Sequence, residues 1–262
     1  MPNYYIYRHA WRFRDAHHRE TELSKNEVNH LFSNGGWLIR NTYEFDTIEK
    51  SEFWYLIKDS FNGMEEHTSK GRNKIRKALK TYDYRIIDTN LLKEKGFDIY
   101  KEVLKNYPIK DRHISYNSYL SIFNNNCECW GCFKKNTDEI IGFAINYIWD
   151  DSCQYEITAI LPPYKHNTTY PYYGLIYIMD QYYLEEKKYK YVSDGSRSIS
   201  EHSNFQEFLI RNFKFRKAYC RLKIYYKWWL NVVIKVLFPF RNIIPFRNIK
   251  AILRMEAYSR EL

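Results

Sequence analysis

The chain has 262 residues, 45% hydrophobic and 19% aromatic, with 26 Tyr and 16 Phe. That length carries one large domain or one and a half small ones, with rings filling much of the core, and excludes a disordered, low-hydrophobicity chain. The formal net charge of +10 favours a polyanionic partner such as phosphate, nucleic acid or an acidic membrane surface. A Lys-rich surface serving solubility is the alternative.

The predicted elements, in chain order, begin with strands over Tyr4–Phe13 and Gly36–Phe45, the second opened by the turn residues Asn34, Gly35 and Gly36. Thr47 to Phe61 predicts a helix, with Phe53, Trp54, Ile57 and Phe61 on one face. Ser69–Lys80 predicts a basic helix. Ile75, Ala78, Leu79 and Tyr82 run along one side, and Arg72, Arg76, Lys77 and Lys80 project from the rest without acidic partners at i+4. Arg72 and Arg76 are therefore candidates for binding a phosphate-bearing substrate; an ordinary solvated face is the competing reading. A strand at Tyr84–Ile87 and a helix at Leu91–Tyr107, stopped by Pro108, come next. Then follow a short helix at Ser115–Phe123, a hairpin of Glu128–Lys134 with Ile140–Trp149, and a third strand, Gln154–Leu161. Tyr172–Glu186 predicts a helix, Lys190–Ser193 a strand, and Ser203 with Gln206 a capping box opening another helix. Ala218–Tyr226 is the last strand of this part.

The five Cys are scattered. With no apolar run in Met1–Asp15, they imply reduced thiols and a cytoplasmic chain, either free or membrane-associated. Cys127, Cys129 and Cys132 have no fourth ligand in view and sit on opposite strand faces, so no metal site is expected. From Trp228 to Phe240 the chain is apolar but too short to span a bilayer, and it contains Lys235. Two Pro-Phe-Arg-Asn-Ile copies follow. Bulky apolar groups interleaved with cations suit an anionic membrane interface, or else a tail packed across the N-terminal part.

The loop after Lys190–Ser193 gathers Asp194, Ser196, Arg197, His202 and Asn204 between a strand end and a helix start, where open α/β sheets place ligands. His202 titrates near neutral pH and is a candidate base. Arg197 offers a bidentate fork to a carboxylate or phosphate, and Asp194, Ser196 and Asn204 complete a candidate substrate-binding set.

From Tyr84 to Tyr226 the order is β-α-α-β-β-β-α-β-α-β. With the hairpin from Cys132 through Ile140, Ile141, Gly142, Phe143 and Ala144, it resembles the GNAT acyltransferase fold. Asn212–Tyr219 is similar to that family's closing Phe-Gly-Phe segment, with Lys214 where Gly is common. The basic helix before it is similar to a segment of FemAB-like tandem acyltransferases. The resemblance implies an α/β (α+β, mixed-sheet) GNAT-like domain over 82–227. An N-terminal extension or partial second GNAT-like half spans 1–81, and an apolar-basic tail spans 228–262. It also implies an acyl thioester lying along the third strand at Thr158, Ala159 and Ile160, and phosphates near Lys165, Thr168 and Thr169 at the next helix. Glu156 would act as base and Tyr219 as acid. The family's Arg/Gln-x-x-Gly-x-Gly/Ala loop is missing, and only Gly174 stands near its place. FemAB-like proteins depart comparably.

The expected function is transfer of an acyl group from acyl-CoA, as co-substrate, to an amine of an amino sugar or cell-surface precursor, the acceptor being a small-molecule or lipid-linked phosphate-bearing compound. Two alternatives stand beside it: aminoacyl transfer from aminoacyl-tRNA, and a non-catalytic GNAT-shaped binding protein.

Overall fold

A computed structural model describes residues 3–7, 9–106, 114–165, 167–199 and 204–261. The strands are β1 (Tyr4–Tyr7), β2 (Ala10–Phe13), β3 (Leu38–Thr47), β4 (Trp54–Lys58), β5 (Tyr82–Ile87), β6 (Cys127–Lys134), β7 (Ile140–Trp149), β8 (Ser152–Ile160), β9 (Tyr191–Ser196) and β10 (Arg216–Tyr226). The helices are α1 (Lys25–Ser33), α2 (Ser69–Thr81), α3 (Thr89–Lys105), α4 (Tyr116–Leu120), α5 (Pro162–Lys165), α6 (Pro171–Asp180, continued as a π-turn to Glu186), α7 (Phe205–Phe213), α8 (Trp228–Leu237) and α9 (Arg247–Ser259). The chain divides into two compact units. One comprises 1–56, 196–206 and 216–262; the other comprises 57–195 and 207–215.

In the first unit β1 and β2 form a hairpin, β2 and β3 run parallel, and β3 pairs antiparallel with β10. Between the parallel strands stands α1, opened by a complete capping box of Ser24 and Glu27. Its core joins Leu38, Phe53, Cys220 and Leu222 to Leu230 and Ile234 of α8 and Leu253 and Met255 of α9. One side of the tail is therefore core. The other side is not. Trp228, Val232 and Val236, spaced four apart on the outer face of α8, are 80%, 55% and 62% exposed. Phe240, Ile243 and Phe246 are exposed beside them.

In the second unit β5, β6, β7 and β8 form an antiparallel meander, and β9 joins β8 in parallel after the α5–α6 crossover. The core on one face joins Leu92, Ile99 and Val103 of α3 to Phe143, Ile145 and Ala159; of the stripe expected for this helix, Phe97, Tyr100, Val103 and Leu104, the last two are buried and the first two only partly so. Ile75 and Ala78 are the buried residues of α2, again as its spacing requires.

Tyr4–Phe13 is a hairpin rather than the single strand expected, and two later stretches depart from the expected elements or bounds. Residues Thr47–Phe61 are not a helix: Trp54 to Lys58 form β4, with Trp54, Leu56, Ile57 and Lys58 all buried. The run of aromatic and branched side chains from Phe53 to Ile57 prefers the pleated, doubly covered setting, and its spacing reads as helical only because those five consecutive positions are all apolar or aromatic. Secondly, α7 begins at Phe205; Ser203 lies outside the described residues, and the Gln206 side chain donates to the Ser196 carbonyl at 3.3 Å.

Candidate functional site

The site begins at a fork. β8 and β9 pair only at Ser152–Tyr191, Cys153–Val192 and Gln154–Ser193, although β8 runs on to Ile160. Beyond Ser193 the β9 backbone turns at Gly195, whose φ of +78° a side chain would resist. Its N–H is tied to Ser193 Oγ at 2.9 Å. The stretch Tyr155–Ile160 thus keeps its ladder with β7 and has no ladder partner toward β9 among the described residues.

Glu156 sits where the fork opens. The β7–β8 register jumps from Ile145–Ile157 to Asn146–Tyr155, so Glu156 is the extra residue of a β-bulge. A bulge re-aims the side chain it adds. Tyr155 on one side is buried, whereas Glu156 is exposed, with Gln154 Nε2 donating to its Oε2 at 2.5 Å. Thr158, Ala159 and Ile160 follow on the same strand, paired with Ala144, Phe143 and Gly142.

Beneath the fork lies a buried ionic cluster. Lys58 Nζ donates to Glu66 Oε1 at 2.5 Å and to Asp180 Oδ2 at 2.9 Å, and Tyr155 OH donates to Asp180 Oδ1 at 2.7 Å. One cation shared by two carboxylates leaves a net negative cluster. Burial, with Glu66 adding to it, pushes the Asp180 carboxyl above its usual range against the pull of Lys58. Burial opposes the charge on Lys58, but Asp180 and Glu66 together raise its pKa. The cluster ties β4 and α6 to the first β8 residue beyond the last β9 pair.

The start of α6 fits a pyrophosphate poorly. Pro171 at its first turn has no N–H, and the Tyr173 N–H is taken by the Tyr170 carbonyl at 2.9 Å. Thr169 bonds Tyr82 OH at 2.5 Å and also the Asn167 carboxamide, and Tyr84 OH donates to the Pro171 carbonyl at 3.1 Å. Gly174 serves packing, since a Cβ there would meet Tyr84 OH at 2.3 Å. Lys165, on α5, and Thr168 are exposed. On α2, Arg72 donates to the His67 carbonyl at 2.7 Å, while Arg76 is exposed. Asp194 lies half-buried near the end of β9.

The remaining candidates belong to the first unit. Arg197 is committed: its Nη1 donates to the Glu52 carbonyl at 2.6 Å and carboxylate at 2.8 Å, and its guanidinium lies 4.2 Å over the Tyr258 ring. Ser196 Oγ accepts from Arg40 at 3.4 Å. Asn204 is exposed, and Tyr219 is half-buried opposite Thr47 on β3. His202 lies outside the described residues. The sequence reading missed Lys58 and Asp180, hidden in apolar runs, and Arg12 and Arg40. No sequence signal marked the last two as a pair, since Arg40 lies in the ten-residue, mixed-polarity β3 and its neighbour Arg12 belongs to another strand.

No family model and no curated protein matches the chain. Solved structures do. FemX aligns over 87% of this chain and 82% of its own, at 11% identity and a TM-score of 0.57. L-PGS from Bacillus licheniformis aligns over 89% and 83%, at 11% identity and a TM-score of 0.49. The C-terminal domain of a putative lysylphosphatidylglycerol synthetase from Agrobacterium fabrum aligns over 73% of this chain and 66% of its own, at 10% identity and a TM-score of 0.44. At such identities the likeness speaks for architecture alone. The chain has a mixed α/β fold of the GNAT-like, FemX-like kind.

Proposed function

We propose that this protein is an acyltransferase that passes an acyl group from an activated carbonyl donor to an amine. The carrying observation is the fork with Glu156 bulged out at its opening. An extended donor can add to the edge of Ile157–Ile160 beyond the β9 ladder as a further strand, its carbonyl held by backbone N–H groups. Glu156 then takes the proton from the attacking amine, and the leaving group departs as the amide forms.

A thioester and an aminoacyl ester both supply such a carbonyl. The occupied N–H at Tyr173 and the proline at the first turn of α6 favour the donor without a pyrophosphate to seat there, aminoacyl-tRNA, over acyl-CoA. The net charge of +10 suits either polyanion. The acceptor in this reading is an amine on a phosphate-bearing or lipid-linked precursor. The exposed apolar face of α8, with Lys235 beside it and Lys250 on α9, then rests on an anionic membrane surface.

The test is Glu156→Gln, assayed with acetyl-CoA and with aminoacyl-tRNA against amine acceptors. A fall of about 10²-fold or more at unchanged Tm supports the base, since Glu156 is exposed and its loss spares the core. Full activity in the variant removes Glu156 from the chemistry. Wild-type protein inert with both donors, and unshifted in Tm by either, leaves the non-catalytic reading.

A further inference from the structure

Two arginines of the first unit stand side by side on its sheet with no carboxylate beside either among the described residues. Arg12 on β2 and Arg40 on β3 are register partners on adjacent parallel strands, so their side chains rise from the same sheet face. Like charges set side by side on a sheet destabilise it. Other arginines of this unit have carboxylate partners, Arg19 with Asp15, Arg216 with Asp46, Arg221 with Glu44 and Glu49, Arg197 with Glu52, and Arg260 with Glu256, while Arg241 and Arg254 donate to backbone carbonyls. Arg12 and Arg40 meet no carboxylate among the described residues.

Their surroundings are neutral and polar. Arg40 reaches Ser196 Oγ at 3.4 Å and lies 5.5 Å from the Phe53 ring centroid. Arg12 lies 4.8 Å over the Tyr7 ring, and its Nε is buried without a hydrogen-bond partner. Burial and then the charge of Arg12 hold Arg40 down to about 10. The His17 ring stacks on Tyr55 at 3.9 Å, and Tyr55 OH bonds Thr42 Oγ1 at 3.2 Å. Burial first, then Arg40, lowers His17 to about 3, so that ring is neutral at physiological pH. The result is a partly dehydrated patch of two cations edged by hydroxyls and an uncharged imidazole. A half-buried guanidinium whose Nε–H is buried and idle is costly to fold and is relieved by an anion.

We propose that Arg12 and Arg40 form a binding site for a phosphoryl group, with Ser196 at its rim. A planar carboxylate is satisfied by a single arginine fork. Two forks on neighbouring strands suit a tetrahedral group with several anionic oxygens. The ligand is either a soluble phosphate ester or diphosphate, or the head group of a phosphate-bearing lipid. This assignment goes beyond the transfer reaction and does not depend on it, because Glu156 takes no part.

The experiment is calorimetric titration of the full chain with inorganic pyrophosphate, and sedimentation with vesicles of phosphatidylcholine containing phosphatidic acid. Wild-type protein, Arg12→Met, Arg40→Met and the paired-arginine control Arg216→Met are compared. The expected result is saturable binding that each of the first two variants weakens tenfold or more and the control leaves alone. Loss confined to pyrophosphate assigns a soluble ligand; loss confined to vesicles assigns a lipid head group. A parallel melting series guards against misfolding: pyrophosphate raises the Tm of wild-type protein and of the control, and not that of folded Arg40→Met. Absence of wild-type binding to both probes, or equal binding by all four proteins, overturns the site.

Discussion

Replacing Lys58 by Met tests the ionic cluster under the fork. Lys58 is 2% exposed, Asp180 0% and Glu66 6%, so all three charges are away from water. At separations of 2.5 and 2.9 Å each pair is worth roughly 6 kcal/mol at an effective dielectric near 20, against several kcal/mol of desolvation per ion. Removing the shared cation leaves two buried carboxylates uncompensated, and the expected loss is about 3–5 kcal/mol. Asp180→Asn keeps an acceptor for Tyr155 and leaves Lys58 with Glu66, so its loss is smaller, about 1–3 kcal/mol. Equilibrium urea denaturation at pH 7 reads both. The pH dependence has a fixed sign. A carboxyl with a raised folded pKa contributes stability below its unfolded value, and that contribution is lost as pH rises through the folded value. Without Lys58 the Asp180 pKa climbs further, so the deficit of Lys58→Met shrinks as pH falls from 7 toward 4. Lys58 itself, raised above 10.5, loses its contribution only in strong alkali. A loss below about 1 kcal/mol at pH 7, or a deficit that grows on acidification, refutes the reasoning.

Two further outcomes are expected. Lys214 adopts φ +62°, a left-handed conformation that glycine takes without strain. Lys214→Gly therefore stabilises the fold by about 0.5–1 kcal/mol in urea denaturation, and a loss of stability contradicts that account. On α8, Val232→Asp with Val236→Asp leaves Tm within a degree or two, because both side chains face solvent, and abolishes sedimentation with vesicles containing phosphatidylglycerol. Undiminished sedimentation takes the membrane role away from this face.

The elements with one clean period were legible in the sequence. β6 to β8 alternate or run apolar between turn residues, α3 buries Val103 and Leu104 as its spacing requires, and the resemblance to a closing Phe-Gly-Phe segment singles out Lys214, whose backbone is left-handed. β4 was misread because the unbroken apolar and aromatic run Phe53–Ile57 has no period to report. α1 passed unread although Ser24 and Glu27 announce it, because its apolar stripe is slight and Leu31 is its one buried residue. In the candidate site, strand placement put Glu156 on β8, but only pairing with β7 reveals that it is the bulged residue. Arg197 looked like a free clamp in sequence; its partner Glu52 is 145 positions away, a separation that no local pattern encodes. Arg12 and Arg40 were invisible for the same reason, since their juxtaposition is created by the β2–β3 register.

The most direct test is amide hydrogen exchange along Tyr155–Ile160 of the full chain, alone and with acetyl-CoA or aminoacyl-tRNA. N–H groups on the β9 side should exchange fast in the free protein and become protected with one of these donors, while the β7-facing ones stay slow throughout. Slow exchange on both sides of β8 before any donor is added, or no change with either donor, would contradict an open strand edge as the seat of acyl transfer.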